Sequence, residues 1–328
     1  MNPEAKKRKS YISQLNKIFF LFTVILFLGN VGIPVRKIFL WLFNILRIEN
    51  TDAALRSITS MNELPGILFL ISLYTALVSI PVALFFALSK GHRSEDHAFY
   101  TKRPPFLGTI YAVGMSFGII YSLSSILTSI ADKLLGLFGI EPKSAELMLS
   151  TDFRLLPFYT VLLCILPALS EEFLTRGLLL RSLQGMGKTF AIILSSICFM
   201  LMHPTDSYIF SFISGLCIAY FSLRYKSIWV GIIIHFCTNM NATLLAMTYL
   251  LACEDPTNIL YRIYIIAFAT FMTFFGIWFA IKMIIRIHKS NFTFKKEFTE
   301  YKKREILKCP FFYIFFILAV ISAVLGTI

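Results

Sequence analysis

Long apolar segments constrain this chain more than any other feature, because few environments accommodate them. A transmembrane helix needs about 20 mostly apolar residues. Nine segments approach that length, and they lie at about 15–34, 64–88, 106–130, 154–183, 189–203, 207–224, 227–252, 259–286 and 310–327. The strands of a membrane barrel would instead alternate in apolar character over about ten residues. The sequence therefore predicts an all-α, polytopic transmembrane helix bundle with about eight to nine spans.

Composition and charge agree with a membrane protein. The chain is 57% hydrophobic and 15% charged, whereas soluble domains carry about 25% charged residues. Its net charge is +13, but the Lys and Arg residues lie between the apolar segments, where they are typical of topology determinants. We therefore expect membrane lipids as partners and no nucleic acid.

The distribution of positive charge predicts an orientation. With the N-terminus in the cytoplasm, 23 of the 31 Lys and Arg residues fall on the cytoplasmic side. The sequence thus predicts an integral, multi-pass protein of the plasma membrane with a cytoplasmic N-terminus. Residues 35–48 mix aromatic and basic side chains and predict an interfacial helix. The basic segment from Lys289 to Lys308 is predicted to lie against anionic headgroups.

Three polar clusters interrupt the apolar segments, and each has a four-residue spacing. They are Glu171-Glu172-x-x-x-Arg176, Phe199-x-x-x-His203 and His235-x-x-x-Asn239. On a helix, residues four apart share a face. A charge at bilayer depth costs roughly 2.5 kcal/mol or more, so ionisable residues there mark functional sites by default. These clusters are the candidate site.

The residue types suggest how the clusters work. Glu172 and Arg176 can form a same-helix ion pair, which leaves Glu171 to be met by His203, His235, water or a metal. A buried glutamate beside a histidine suits a general base. Asn239, with an N–H of His235, suits an oxyanion. A rise of about 1.5 Å per residue places these side chains at similar depths, provided that the fourth helix continues past Glu171.

In this order, on successive helices, the three motifs resemble those of the CAAX protease and bacteriocin-processing (CPBP, or Abi) family of intramembrane proteases. The resemblance covers about residues 154–252. It carries the family's paired glutamates to Glu171 and Glu172 and its arginine to Arg176. It carries the second motif to Phe199 and His203, and the third to His235 and Asn239. It implies hydrolysis of a peptide bond of a membrane-associated peptide or protein, in CAAX-type or bacteriocin-type processing.

The resemblance leaves the role of zinc open. Glu171, His203 and His235 are the candidate zinc ligands, and three protein ligands plus water suffice for catalytic zinc. Without zinc, Glu171 and His203 activate the water while His235 and Asn239 bind the oxyanion. The zinc-free form is favoured, because Asn239 is a good oxyanion donor and a poor zinc ligand. Because the site must admit water and a peptide, we expect a cavity that opens towards the cytoplasm.

Other interpretations of the same residues remain open. The paired glutamates can form a structural ion network, His203 can interact with the end of its helix, and His235 with Asn239 can join helices. A proton-coupled transporter or a bacteriocin-immunity or regulatory scaffold without turnover are the alternative functions. We divide the chain into N-terminal helices with the interfacial helix (1–150), a CPBP-like catalytic core (151–255) and C-terminal helices with the basic loop (256–328).

Overall fold

The computed structural model describes residues 3–30, 62–88, 102–137, 149–289, 299 and 301–327, and the regular structure of these residues is helical. In chain order the helices are α1 (Pro3–Asn30), α2 (Leu64–Tyr74, Thr75–Ser79 and Ile80–Leu88 in succession), α3 (Phe106–Gly136), α4 (Phe153–Met186), α5 (Lys188–Met200), α6 (Tyr208–Tyr225), α7 (Ile228–Glu254), α8 (Leu260–Lys289) and α9 (Pro310–Thr327).

Seven of these helices are long and apolar enough to cross a membrane, and α5 and the Pro310–Val324 part of α9 are shorter apolar helices. The described helices thus correspond to the nine apolar segments of the sequence, and the prediction of a polytopic all-α bundle is confirmed. The interfacial helix predicted at 35–48 and most of the basic loop before α9 lie outside the described residues.

Helix α4 carries the first motif and is irregular along its length. Two stretches, Thr160–Ile165 and Phe173–Leu180, are π-helical, and both lie beside a run of ordinary α-helix. Pro167 lacks an N–H, so it cannot donate to the Leu163 carbonyl four residues earlier. The helix nevertheless continues to Met186. Glu171 therefore lies within the span rather than at its end, as the depth argument required.

The core helices pack around α4. Helix α4 contacts α2, α5 and α7, while α5 packs against α6 and α6 against both α3 and α7. Gly215 permits the approach of α6 to α5, because a Cβ at this position would lie 3.0 Å from Ser196 Cβ. Helix α8 covers α3 and α7. The helices that carry the three motifs are thus neighbours at the centre of the bundle.

The two ends of the described chain lie together. Helices α1 and α9 run parallel, with the Phe311 N–H bonded to Asn16 Oδ1 and Phe315 packed on Phe19 and Phe22. Residues 301–308, which we call the strap, precede α9 and contact the start of α1 and the end of α4. Tyr301 stacks on Tyr11, for example, and its N–H bonds to the Gly185 carbonyl. We call this side of the bundle the strap end.

Candidate active site

A buried ion pair on α4 forms one half of the site. Arg176 Nη1 donates to Glu172 Oε1 at 2.9 Å, and both side chains are fully buried. Arg176 also donates to Thr175 Oγ1 and, through Nη2, to the Gly215 carbonyl. The predicted same-helix pair is confirmed. These contacts offset part of the cost of burying two charges in an apolar bundle.

His235 joins this pair rather than Glu171. Its Nδ1 lies 2.9 Å from Glu172 Oε1. Because a carboxylate only accepts, His235 Nδ1 carries the proton. Gly231, one turn earlier on α7, leaves room for this contact, because a Cβ there would lie 3.1 Å from Glu172 Oε2 and 2.6 Å from Ser222 Oγ. Glu172 therefore links α4 to α7.

Phe199 lies between the polar side chains. Its ring centroid is 4.6 Å from that of His203 and 5.5 Å from that of His235, and the Arg176 guanidinium carbon lies 4.5 Å from it. The predicted packing of Phe199 on His203 is confirmed. The ring also makes a cation–π contact with Arg176. This single aromatic side chain thus contacts one residue from each of the three motifs.

Glu171 and His203 form the other half of the site. Glu171 Oε2 lies 3.8 Å from His203 Nε2. His203 Nδ1 lies 2.8 Å from the Phe199 carbonyl, which only accepts, so Nδ1 carries the proton and Nε2 of the neutral ring is an acceptor. Glu171 Oε2 is buried and has no hydrogen-bond partner among the described residues. In the neutral form of His203, two acceptors thus face each other across a short gap.

The contact of His203 with the Phe199 carbonyl places it at the C-terminal end of α5, where it caps the helix. The structural role of His203 as a helix cap and its predicted functional role are therefore compatible, because the cap uses Nδ1 and the site uses Nε2.

A cavity of about 650 Å³ lies against Glu171 and His203. Its polar lining includes Tyr74 and Ser170, and its apolar walls come from α1, α2, α4 and α9 and from the turn between α5 and α6. His235 and Asn239 do not line it. The structure therefore places Glu171 and His203 at a cavity, whereas Glu172, Arg176 and His235 are buried away from it and Asn239 is half-buried.

The cavity lies towards one end of the helices that line it. It is lined by residues 25–27 near the end of α1 and 201–205 after α5, which lie away from the strap end. The strap end is the one that the positive-inside rule assigns to the cytoplasm. Both α1 and α5 run from the strap end towards the cavity, and the expected opening of the cavity towards the cytoplasm stays a prediction.

Asn239 has a local structural task. Its Nδ2 donates to the Leu163 carbonyl at 2.9 Å. Pro167 has no N–H to donate to this carbonyl, and the Asn239 amide donates to it from α7. An Asn side chain has two N–H donors, and the second is the one that remains for an oxyanion.

Among the described residues, no three His, Cys, Asp or Glu side chains form a group that could hold a metal ion. Of the candidate zinc ligands, Glu171 and His203 lie together, and the contact of His235 Nδ1 with Glu172 leaves Nε2 as the ring nitrogen available to a metal.

Tyr74 and Ser170 contact Glu171 or line the cavity with it, and sequence reasoning missed both. Ser170 is a polar residue directly before the paired glutamates, which is a signal that was available. Tyr74 lies 97 residues before Glu171 in an apolar helix, and no spacing links the two. Only the packing of α2 on α4 brings them together.

The helices that carry the site match a known protein family. Residues 153–241 match the model of the type II CAAX prenyl endopeptidase Rce1-like family. The predicted family is confirmed over this segment. The Rce1-like segment includes all six predicted site residues and the helices α4 to α6, and it ends within α7. Helices α1, α2 and α9, which form walls of the cavity, lie outside it. No curated protein and no solved structure gave a match to the chain.

Proposed function

We propose that this protein is an intramembrane endopeptidase that hydrolyses a peptide bond of a membrane-associated peptide or protein with water activated by Glu171. The supporting observation is the pair of acceptors, Glu171 Oε2 and His203 Nε2, that face each other at 3.8 Å beside the cavity. A water molecule that donates one hydrogen to each satisfies both atoms. The same water is then held with its lone pairs free for a substrate carbonyl.

In this mechanism Glu171 is the general base and His203 orients the water. Glu171 takes a proton as the water oxygen adds to the scissile carbonyl, and it returns that proton to the leaving amine as the C–N bond breaks. Glu172 and Arg176 support Glu171 electrostatically. The role of His235 and Asn239 as oxyanion donors stays a prediction, which Asn239 supports with its second N–H.

The proposal is for a zinc-free site. The alternative with zinc on Glu171, His203 and His235 needs His235 to turn its free nitrogen towards the other two ligands. The contact of His235 Nδ1 with Glu172 resembles the carboxylate contact that orients metal-bound histidines, so it is the feature that would favour zinc. Metal analysis of the purified protein and cleavage in the presence of a chelator separate the two forms. Activity that disappears with the chelator and returns with zinc would overturn the zinc-free form.

A peptide ending in a farnesylated CAAX sequence is the substrate we propose first, because the matching family is named for prenylated CAAX tails. The cavity walls of α1 and α9 are mostly apolar, which suits a lipid-modified peptide. A bacteriocin leader peptide is the second substrate class. The plasma membrane and a cytoplasmic N-terminus remain part of the proposal, supported by the distribution of Lys and Arg.

The deciding experiment is Glu171→Gln in a cleavage assay with an internally quenched, farnesylated CAAX peptide in liposomes. The variant keeps the size and hydrogen bonding of the side chain but cannot take the proton. We expect kcat to fall by about 100-fold or more, since a general base contributes about 10²–10⁴-fold. The exposed Glu254→Gln is the control and should cleave at the wild-type rate.

Two results would count for the alternative functions. A wild-type protein that cleaves neither substrate class but moves protons with a solute, and loses this flux in Glu171→Gln, is a transporter. A Glu171→Gln protein that keeps the full cellular phenotype is a scaffold. Unfolding of the variant at the wild-type temperature would show that lost cleavage does not come from misfolding.

A further inference from the structure

Tyr74 contacts Glu171, and it lies on α2, which is outside the Rce1-like segment. It is the last residue of the first part of α2, directly before the π-helical turn Thr75–Ser79. Its hydroxyl oxygen lies 3.2 Å from Glu171 Oε1 and 3.0 Å from Ser170 Oγ. The three side chains line the same cavity.

We infer that Tyr74 is a positioning residue for Glu171, and this inference rests on the proposed function. A phenol has one hydrogen to donate, and Glu171 Oε1 is a carboxylate oxygen. A donated bond on Oε1 fixes the rotation of the carboxyl group about its last torsion, which is otherwise broad. With Oε1 held, Oε2 is the oxygen that faces His203 Nε2 at 3.8 Å.

Ser170 completes the contact. Its Oγ lies 2.7 Å from the Leu166 carbonyl and 3.0 Å from Tyr74 Oη, so its hydrogen can point to either oxygen. When Ser170 donates to Tyr74, Tyr74 donates to Glu171. When Ser170 donates to Leu166, Tyr74 can still donate to Glu171 Oε1. Because the water proton goes to Oε2, Oε1 stays an acceptor, and Tyr74 can donate to it both before and after Glu171 takes that proton.

Other polar groups near Glu171 do not perform this task. Glu172 bonds to Arg176 and to His235, and neither Glu172 nor Arg176 lines the cavity. Thr175 Oγ1 donates to the Glu171 main-chain carbonyl rather than to its carboxylate. Among the hydrogen bonds of the described residues, Tyr74 supplies the one that reaches the Glu171 carboxylate.

The test is Tyr74→Phe in the farnesylated CAAX cleavage assay. This change removes one oxygen and keeps the ring that packs α2 on α4. We expect kcat to fall about tenfold, the loss typical of a hydrogen bond to a charged group, with KM within about twofold. The control is Tyr159→Phe, which removes a buried hydroxyl from α4 that accepts the Ser150 N–H and does not line the cavity.

A fall in kcat in Tyr74→Phe with wild-type kinetics in Tyr159→Phe supports the inference, and Ser170→Ala should show a smaller fall of the same kind. Wild-type kcat in Tyr74→Phe would overturn it while the proposed function stands, provided that Glu171→Gln is inactive. Equal losses in Tyr74→Phe and Tyr159→Phe would also overturn it, because they would indicate a general packing effect.

A second readout does not depend on turnover. The infrared carboxyl band of Glu171 can be assigned from the difference between the wild-type and Glu171→Gln spectra. We expect Tyr74→Phe to shift this band, because one donor to Oε1 is removed, and Tyr159→Phe to leave it unchanged. An unshifted band overturns the contact itself, even if the protein proves to cleave no peptide.

Discussion

At the scale of single residues, the site depends on a fully buried ion pair. The side chains of Glu172 and Arg176 are both 0% exposed, and Glu172 also accepts a hydrogen bond from His235 Nδ1. Removing one partner leaves a buried charge without compensation, which costs roughly 3 kcal/mol or more. We expect Arg176→Gln to lower the unfolding free energy by about that amount, measured by thermal or denaturant unfolding in detergent.

The matched control is Arg154→Gln. Arg154 pairs with Asp152 at 2.8 Å, but its side chain is 90% exposed, and exposed pairs contribute about 0–1 kcal/mol. If both variants changed stability equally, burial of the Glu172–Arg176 pair would not be the cause. The comparison of Arg176→Gln with Arg154→Gln therefore separates the effect of burial from the effect of losing an ion pair.

At the scale of helices, α3 and α8 pack through a glycine. A Cβ added at Gly114 would lie 2.0 Å from Cε1 of Phe275, so the ring or the helix must move. Overpacking of this kind costs about 1–3 kcal/mol. We expect Gly114→Ala to lower the thermal stability of the purified protein, although Ala favours a helix more than Gly.

Two further variants test the cause. Gly136→Ala lies on the same helix with nothing within 4 Å of its added Cβ, so it should not lower stability. Shortening the opposing side chain in Gly114→Ala/Phe275→Leu should recover part of the loss. A Gly114→Ala protein as stable as Gly136→Ala would contradict the described packing of α3 on α8.

At the scale of the whole molecule, one carboxylate joins the two ends of the described chain. Glu305 in the strap bonds to Arg8 of α1 and to Lys308 before α9. The hydrogen bonds from Arg8, and to a smaller extent from Lys308, hold the pKa of Glu305 below its ordinary value. This contact closes the bundle between α1 and α9.

The lowered pKa gives a pH dependence of known sign. A group whose pKa is lower in the folded state stabilises the fold above its unfolded-state pKa, and this contribution disappears as the pH falls through the folded-state pKa. We expect the wild type to be more stable than Glu305→Gln at neutral pH, and the difference to vanish in acid below the ordinary range of glutamate. Unfolding curves between pH 7 and about pH 3 measure this.

Glu254→Gln serves as the reference for that series, because Glu254 is exposed at the end of α7. A stability difference between the wild type and Glu305→Gln that did not change with pH would contradict the role of the Glu305 charge. If this stability difference instead increased as the pH fell, the pH dependence would have the opposite sign to the one expected from the lowered pKa of Glu305.

Much of this protein was determined by its sequence, because the deciding patterns are local. The nine apolar segments predicted the described helices, since span length depends only on bilayer thickness and helix rise. The four-residue spacing likewise predicted the Glu172–Arg176 pair and the packing of Phe199 on His203, because each involves one turn of one helix. These contacts do not depend on how the helices are arranged.

Only the tertiary structure decided which residues meet between helices. His235 contacts Glu172 rather than Glu171, and these carboxylates lie about 100° apart on α4, so the rotation of α4 against α7 made the choice. The same rotation turns Glu171 towards His203, the cavity and Tyr74. No pattern along the chain records that rotation, because it results from the combined packing of α2, α4, α5 and α7.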